Sequence, residues 1–218
     1  MRRKDRDMLV NGLNETSQAH SQILHPGSRA LFSYWERIRA EEAAPPRSAL
    51  DLKQLRDLIP NLMIIEHEPR SGDFTWRLAG ALINDLYRCD VKGNSVVKGW
   101  ESFEANIVRS LLNGVIQKLQ PCLLRLRLRT DLEQIIGAEM IGLPLQSSDG
   151  KSIQVFGGLF AFRDTPSLCH RHIAAIELSG ARSIWTEHLP GDPLARQLGK
   201  ADRPPFQPFQ IITGGRAS

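Results

Sequence analysis

Between residues 74 and 87 the chain changes period without a break. Phe74, Trp76 and Leu78 alternate with Thr75, Arg77 and Ala79, and after Gly80 the positions Ala81, Leu82, Asp85 and Leu86 fall at helical intervals. Alternation gives a strand one apolar face, and the 3.6-residue spacing gives the following short helix an apolar stripe. The strand therefore turns directly into a helix, and Gly93 closes the segment as a stop or tight turn.

The flanking patterns fit around that junction. Residues 62–66, Leu-Met-Ile-Ile-Glu, are apolar on both strand faces, as an interior strand covered above and below requires, and the turn at residues 69–72 makes a hairpin with the strand that follows. Glu101 and Glu104 open the longest helix, where negative charge suits the N-terminal dipole; Phe103, Ile107, Leu111, Val115 and Leu119 mark its buried stripe, and Pro121 ends it. Three strand-like runs come next, at residues 122–130, 135–145 and 152–162, separated by Asp131-Leu132-Glu133 and by the hairpin turn Ser147-Ser148-Asp149-Gly150. In residues 124–129 one face is all leucine and the other all arginine, which suits an edge; residues 153–162 are apolar on both faces and belong in the middle of a sheet.

Upstream, Ser28 can cap a helix whose Leu31, Tyr34, Trp35 and Ile38 repeat at i, i+3, i+4 and i+7. That stripe covers either its own sheet or a second chain's, and in the second case these four residues form a homodimer interface. Two prolines within residues 43–47 end the helix, and Asp51 caps a shorter one carrying Leu52, Leu55, Leu58 and Ile59 up to Pro60. Residues 1–27 are polar and aperiodic, an arm before a domain over 28–180; residues 181–218 form a largely mobile extension. Residues 172–178 fit a helix or a strand.

With 28 basic against 24 acidic residues the net charge of +4 is a mild bias, not a dedicated polyanion surface. Cys89, Cys122 and Cys169 form no CxxC pair and read as reduced thiols; Cys169-His170-Arg171-His172 puts only two ligands on one helical face, too few for a metal. No phosphate-binding glycine loop, HExxH or GxSxG is present, and no acid or base is placed for catalysis, so the expectation is a protein that is not an enzyme. The acidic and polar residues after Lys4 exclude a signal peptide, and no run reaches the ~18 apolar residues of a membrane span, so a soluble cytoplasmic protein is expected.

Short pieces in a distinctive order carry a family resemblance: Tyr34-Trp35, Pro46-Arg47, Leu50-Asp51 with Leu58-Ile59-Pro60, Gly72-Asp73-Phe74 with Arg77-Leu78-Ala79-Gly80, Asp90 with Gly93, and Leu143-Pro144-Leu145 with Asp149-Gly150. Over roughly residues 30 to 164 the chain resembles the single PAS-type sensor domains common in alphaproteobacteria. It departs from them at Ala81 and Lys92, where the family usually has Thr, and at Arg88, where it usually has Gly. The resemblance implies an α+β fold, a PAS-like antiparallel sheet of about five strands with helices on one face and the N-terminal helix flanking. The last strand is then central and the strand at 122–130 lies at the rim. It also implies a cavity between sheet and helices, with Leu82, Leu86, Tyr87, Ile107, Leu111, Met140 and Phe160 as candidate lining residues, unless these simply fill the core. No His or Cys sits on that face to nominate a haem or flavin, so the cofactor is unknown.

The function so implied is a non-enzymatic sensor or adaptor in bacterial signal transduction, working through a small molecule, a homodimer contact or other signalling proteins. The competing class is a nucleic-acid-binding module. Arg125, Arg127 and Arg129 share one strand face about 7 Å apart, near the spacing of successive phosphates. Against it stand the absence of interleaved aromatics and the nearby carboxylates Glu133 and Glu139, which would make the row an ordinary solvated face.

Overall fold

A computed structural model of the chain describes residues 21–162 and 173–184. Helix α1 spans Pro26–Arg39. It starts before Ser28 because His25 is the cap, its Nδ1 accepting the Gly27 backbone N–H at 3.0 Å. Two 3₁₀ turns, Arg47–Ala49 and Arg56–Asn61, lead into the hairpin of β1 (Leu62–Glu68) and β2 (Asp73–Ala79). Asp51 caps no α-helix there; its Oδ1 accepts the Lys53 N–H in an Asx turn. Gly80 joins β2 to α2 (Ala81–Tyr87) so closely that a Cβ on it would lie 2.3 Å from the Pro60 carbonyl oxygen. Then follow α3 (Ser102–Lys118), β3 (Cys122–Thr130), β4 (Ile135–Gln146), β5 (Ile153–Ala161) and β6 (Ile173–Ser183).

All strand pairs are antiparallel, and the sheet runs β2-β1-β5-β4-β3-β6. The doubly apolar β5 sits between β1 and β4, as its pattern requires. The sheet has six strands, and β3 is not at the rim: β6 pairs along it from Cys122↔Ser183 to Thr130↔Ile173. Leucine–arginine alternation reports which face is buried, not whether the edge is free, and β6 answers the arginines by placing Glu177 opposite Arg127. The segment open to helix or strand is thus a strand from Ile173 onward. At the other end the loop after α2 closes the β2 edge, with Trp76 N–H donating to Asn94 O and Gly93 N–H to Trp76 O.

Two cores lie on the two faces. On the inner face, Met63, Phe74, Trp76, Leu124, Leu126, Leu128 and Met140 meet Leu82, Ile83 and Leu86 of α2 and Ala105, Val108, Leu112 and Val115 of α3. The α3 stripe is rotated from the expected one. Phe103 is 76% exposed and Ile107 and Leu111 only flank the core, because Glu104 Oε1 accepts the Leu178 N–H of β6 at 3.0 Å and fixes the roll of the helix.

On the outer face, Leu31, Phe32, Tyr34 and Trp35 pack on Leu62, Ile64, Leu143, Leu145, Phe156 and Phe160, with Ile38 partly buried beside them. Three of the four candidate dimer residues are therefore spent inside one subunit, Leu31 and Trp35 at 0% exposure and Tyr34 at 4%. Polar contacts lock this arrangement: Trp35 Nε1 donates to Pro144 O at 2.8 Å, and the Tyr34 hydroxyl accepts the Asp51 N–H at 2.6 Å. The core also reaches past both expected domain limits, since Ile23 and Ile184 are fully buried.

Candidate ligand site

Strand alternation aims Trp76 of β2 inward, and the direct strand-to-helix junction brings Tyr87, at the end of α2, against it. The two rings meet edge-on with centroids 6.2 Å apart. Behind them lies a void of about 10 Å³, bounded by Leu86 and Tyr87, Leu126 and Leu128, Met140 and Leu159. That is room for about one water molecule. In front of them a cleft of about 290 Å³ opens between residues 89–99 and the start of β6. Trp76, Tyr87, Ile173 and Ile176 border both spaces, so they form the partition between them. Val91, Asn94, Ser95 and Lys98 complete the outer cleft.

Leu86, Tyr87 and Met140 thus line the void, and Leu82 lies in the core around it. Ile107 and Leu111 do not border either space, a consequence of the roll of α3. Phe160 is on the opposite face: alternation along β5 sends Leu159 inward and Phe160 outward, where its ring stacks on His25 at 5.2 Å. Trp76, Trp100, Leu159, Ile173 and Ile176 are lining residues absent from the sequence-derived set. Trp76 was legible on the apolar face of its strand, whereas Ile173 and Ile176 sit on a strand the pattern left unassigned.

Burial pushes the Tyr87 phenol up to about 12, opposed by the neighbouring Trp100 indole N–H. Trp100 Nε1 is itself buried and closes no hydrogen bond of normal geometry. Behind the cleft wall, burial acts to raise the Asp73 carboxyl, but hydrogen bonds from Ser95, the Phe74 N–H and Arg109 hold it below its ordinary value. The Arg109 Nε contact, at 3.2 Å, ties the wall to α3. Cys122 is fully enclosed and its thiol is pushed up to about 12, which makes it inert as a nucleophile; Cys89 is exposed at the cleft rim.

Directly through the sheet from Met140 is a buried carboxylate. Glu139 is 0% exposed and accepts the backbone N–H groups of Leu24 at 3.0 Å and His25 at 2.9 Å, with Arg125 Nε at 3.9 Å. His25 Nε2 donates to Ala161 O at 3.1 Å, which with its cap to Gly27 defines the neutral Nε2–H tautomer. The start of α1 is thereby fastened to β4 and β5.

The arginine row is matched by carboxylates throughout: Arg125 with Glu139, Arg127 with Glu177 at 3.8 Å, and Arg129 with Glu133 at 3.6 Å. The Cys169-His170-Arg171-His172 cluster lies outside the described residues. Among the described residues no group of three or more His, Cys, Asp and Glu side chains is placed to hold a metal, and no helix is long and apolar enough to cross a membrane.

An antiparallel sheet with two helices on one face and a third fastened to the other defines an α+β domain. The chain belongs to the PAS domain family, whose model matches residues 23–160. The match takes in α1 through nearly all of β5 and leaves β6 outside. No curated protein matches the chain.

Proposed function

We propose that this PAS domain is a sensor that takes up a small, largely apolar molecule beside Trp76 and Tyr87 and reports its presence through the fastening of α1, for reading by a signalling partner. The observation that carries this is the adjacency of Met140 and Glu139. Trp76 and Tyr87 separate the cleft from the void that Met140 lines, and Glu139, its neighbour in sequence, holds the first residues before α1 on the opposite face. A strand cannot shift at one of these positions without moving the other. Membership of a family of sensing and adaptor modules supports the same reading.

Native mass spectrometry of the full chain purified from its own host, combined with amide exchange, tests it. The expected result is a retained small molecule that is lost from the Ala174→Trp variant, with slower exchange of the Leu24 and His25 amides in loaded protein. Loaded and emptied protein with identical exchange at those two amides would overturn the coupling.

A further inference from the structure

The cleft has a chemical bias that the void lacks. On one side of it stands the edge-on Trp76–Tyr87 pair and on the far side Ile173 and Ile176, with Asn94, Ser95 and Lys98 between. Among the described residues that line it, Lys98 is the one charged side chain and none is a carboxylate. Two acids on the neighbouring described segments are already engaged: Asp73 is paired with Arg109 at 3.2 Å behind Ser95, and Asp90 Oδ1 accepts the Lys92 N–H at 3.0 Å. The far wall belongs to β6, which lies beyond the residues matched by the family model, while the rest of the lining lies within them.

We infer that the cleft binds a planar apolar molecule bearing one anionic end, such as an aromatic carboxylate, with the ring system against Trp76 and Tyr87 and the anion at Lys98. The inference rests on the small-molecule reading above. At about 290 Å³ the cleft is at the low end of the ~300–1,000 Å³ range of ligand sites, which suits a bicyclic molecule. Aromatic and branched aliphatic walls suit an apolar ring system, and a rigid one loses little conformational freedom on binding. Lys98 is exposed, so its contribution is modest and felt in selectivity before affinity.

Titration calorimetry on the full chain with 2-naphthoate and its neutral amide, 2-naphthamide, is the test. The acid should bind about fivefold more tightly than the amide, as expected for one partly screened ion pair. Lys98→Met should erase that preference while leaving amide binding unchanged, and added salt should erode it in the wild type. Ala174→Trp, at an exposed wall position where folding is undemanding, should abolish binding of both. Equal affinities for acid and amide, with Lys98→Met silent, overturn the anionic preference and leave the cleft as a ligand site. Binding of neither probe, or binding that survives Ala174→Trp in a folded variant, removes the cleft itself.

Discussion

The two faces of this sheet are built from the same alternating strands and end in opposite states. On the outer face the large side chains of α1 meet large sheet residues, and Trp35, Phe32, Leu31 and Phe156 are each at 2% exposure or below. On the inner face α3 covers only part of the sheet, and a seven-residue helix with a long loop covers the rest, leaving a void and a cleft about a Trp–Tyr pair. A continuous amphipathic stripe closes a sheet face; a short helix with a loop leaves it enterable. The outer face should therefore punish lost volume more heavily, because the cost of a large-to-small change depends on how far its surroundings can relax.

The largest expected effect follows. Trp35→Ala should cost about 4 kcal/mol in urea unfolding, as a fully enclosed Trp with a buried hydrogen bond to Pro144. Leu86→Ala, beside a pre-existing void, should cost about 2 kcal/mol, the low end for buried leucine. Equal costs would remove the distinction between a closed face and an enterable one.

Next comes the fastening between the faces. Glu139→Gln keeps the shape but supplies one acceptor oxygen where two backbone donors converge, so about 2 kcal/mol should be lost as one N–H goes unpaired. Exchange of the Leu24 and His25 amides should rise more than the global loss accounts for. If only global stability changes, α1 is held by its apolar stripe alone.

Strand positions and the central place of β5 were legible because period-two patterns survive folding unchanged, and the turn at Gly93, with φ of 78°, was marked by its residue type. The α3 face was not, because Phe103, Ile107 and Leu111 compete with Ala105, Val108 and Leu112 at the same spacing, and a distant contact from Glu104 to β6 decides between them. The same missing strand hid half the cleft: Ile173 and Ile176 become lining residues only once β6 is laid beside β3. The candidate dimer stripe was seen correctly as apolar, but a stripe does not say whose sheet it covers, and Leu31, Tyr34 and Trp35 cover their own. Phe160 was misplaced because a run that is apolar on both faces carries no alternation to orient it; its neighbours in β4 do.

A smaller effect tests the start of α1 by pH. Burial lowers the His25 pKa from 6.5, with Arg29 acting the same way and Ala161 O and Glu139 opposing; the ring also faces Phe160 and Phe162. The folded state thus binds the proton less readily than the unfolded chain, so this contribution to stability is complete above pH 6.5 and is lost as pH falls through the lowered folded value. The geometry agrees, since Nδ1 must stay unprotonated to accept the Gly27 N–H. His25→Asn retains a capping acceptor without the titration, so its urea midpoint should lose the wild type's decline as pH falls below 6.5. A variant that declines in parallel with the wild type would place the acid sensitivity elsewhere.

The smallest effect divides the arginine row within the outer face. Arg125 donates to Gln22 O at 3.1 Å and stands by the enclosed Glu139, whereas Arg127 and Glu177 are 51% and 44% exposed at 3.8 Å. Losing a cation beside a buried carboxylate exposes that carboxylate to an uncompensated field, and losing one partner of a solvated pair exposes little. Arg125→Met should therefore cost about 1.5 kcal/mol, mainly through the charged hydrogen bond, and Arg127→Ala about 0.5 kcal/mol or less, with the Arg127–Glu177 coupling in a double-mutant cycle shrinking further in salt. The same pair settles the competing use of the row. Guanidinium groups already matched by carboxylates have little net field to offer a phosphate chain, so a single-stranded oligonucleotide at low salt should bind the wild type and Arg127→Ala equally weakly. Binding that is strong at low salt, falls steeply with ionic strength and drops on Arg127→Ala would show that the carboxylates give way to phosphates and that this half of the outer face is a nucleic-acid surface.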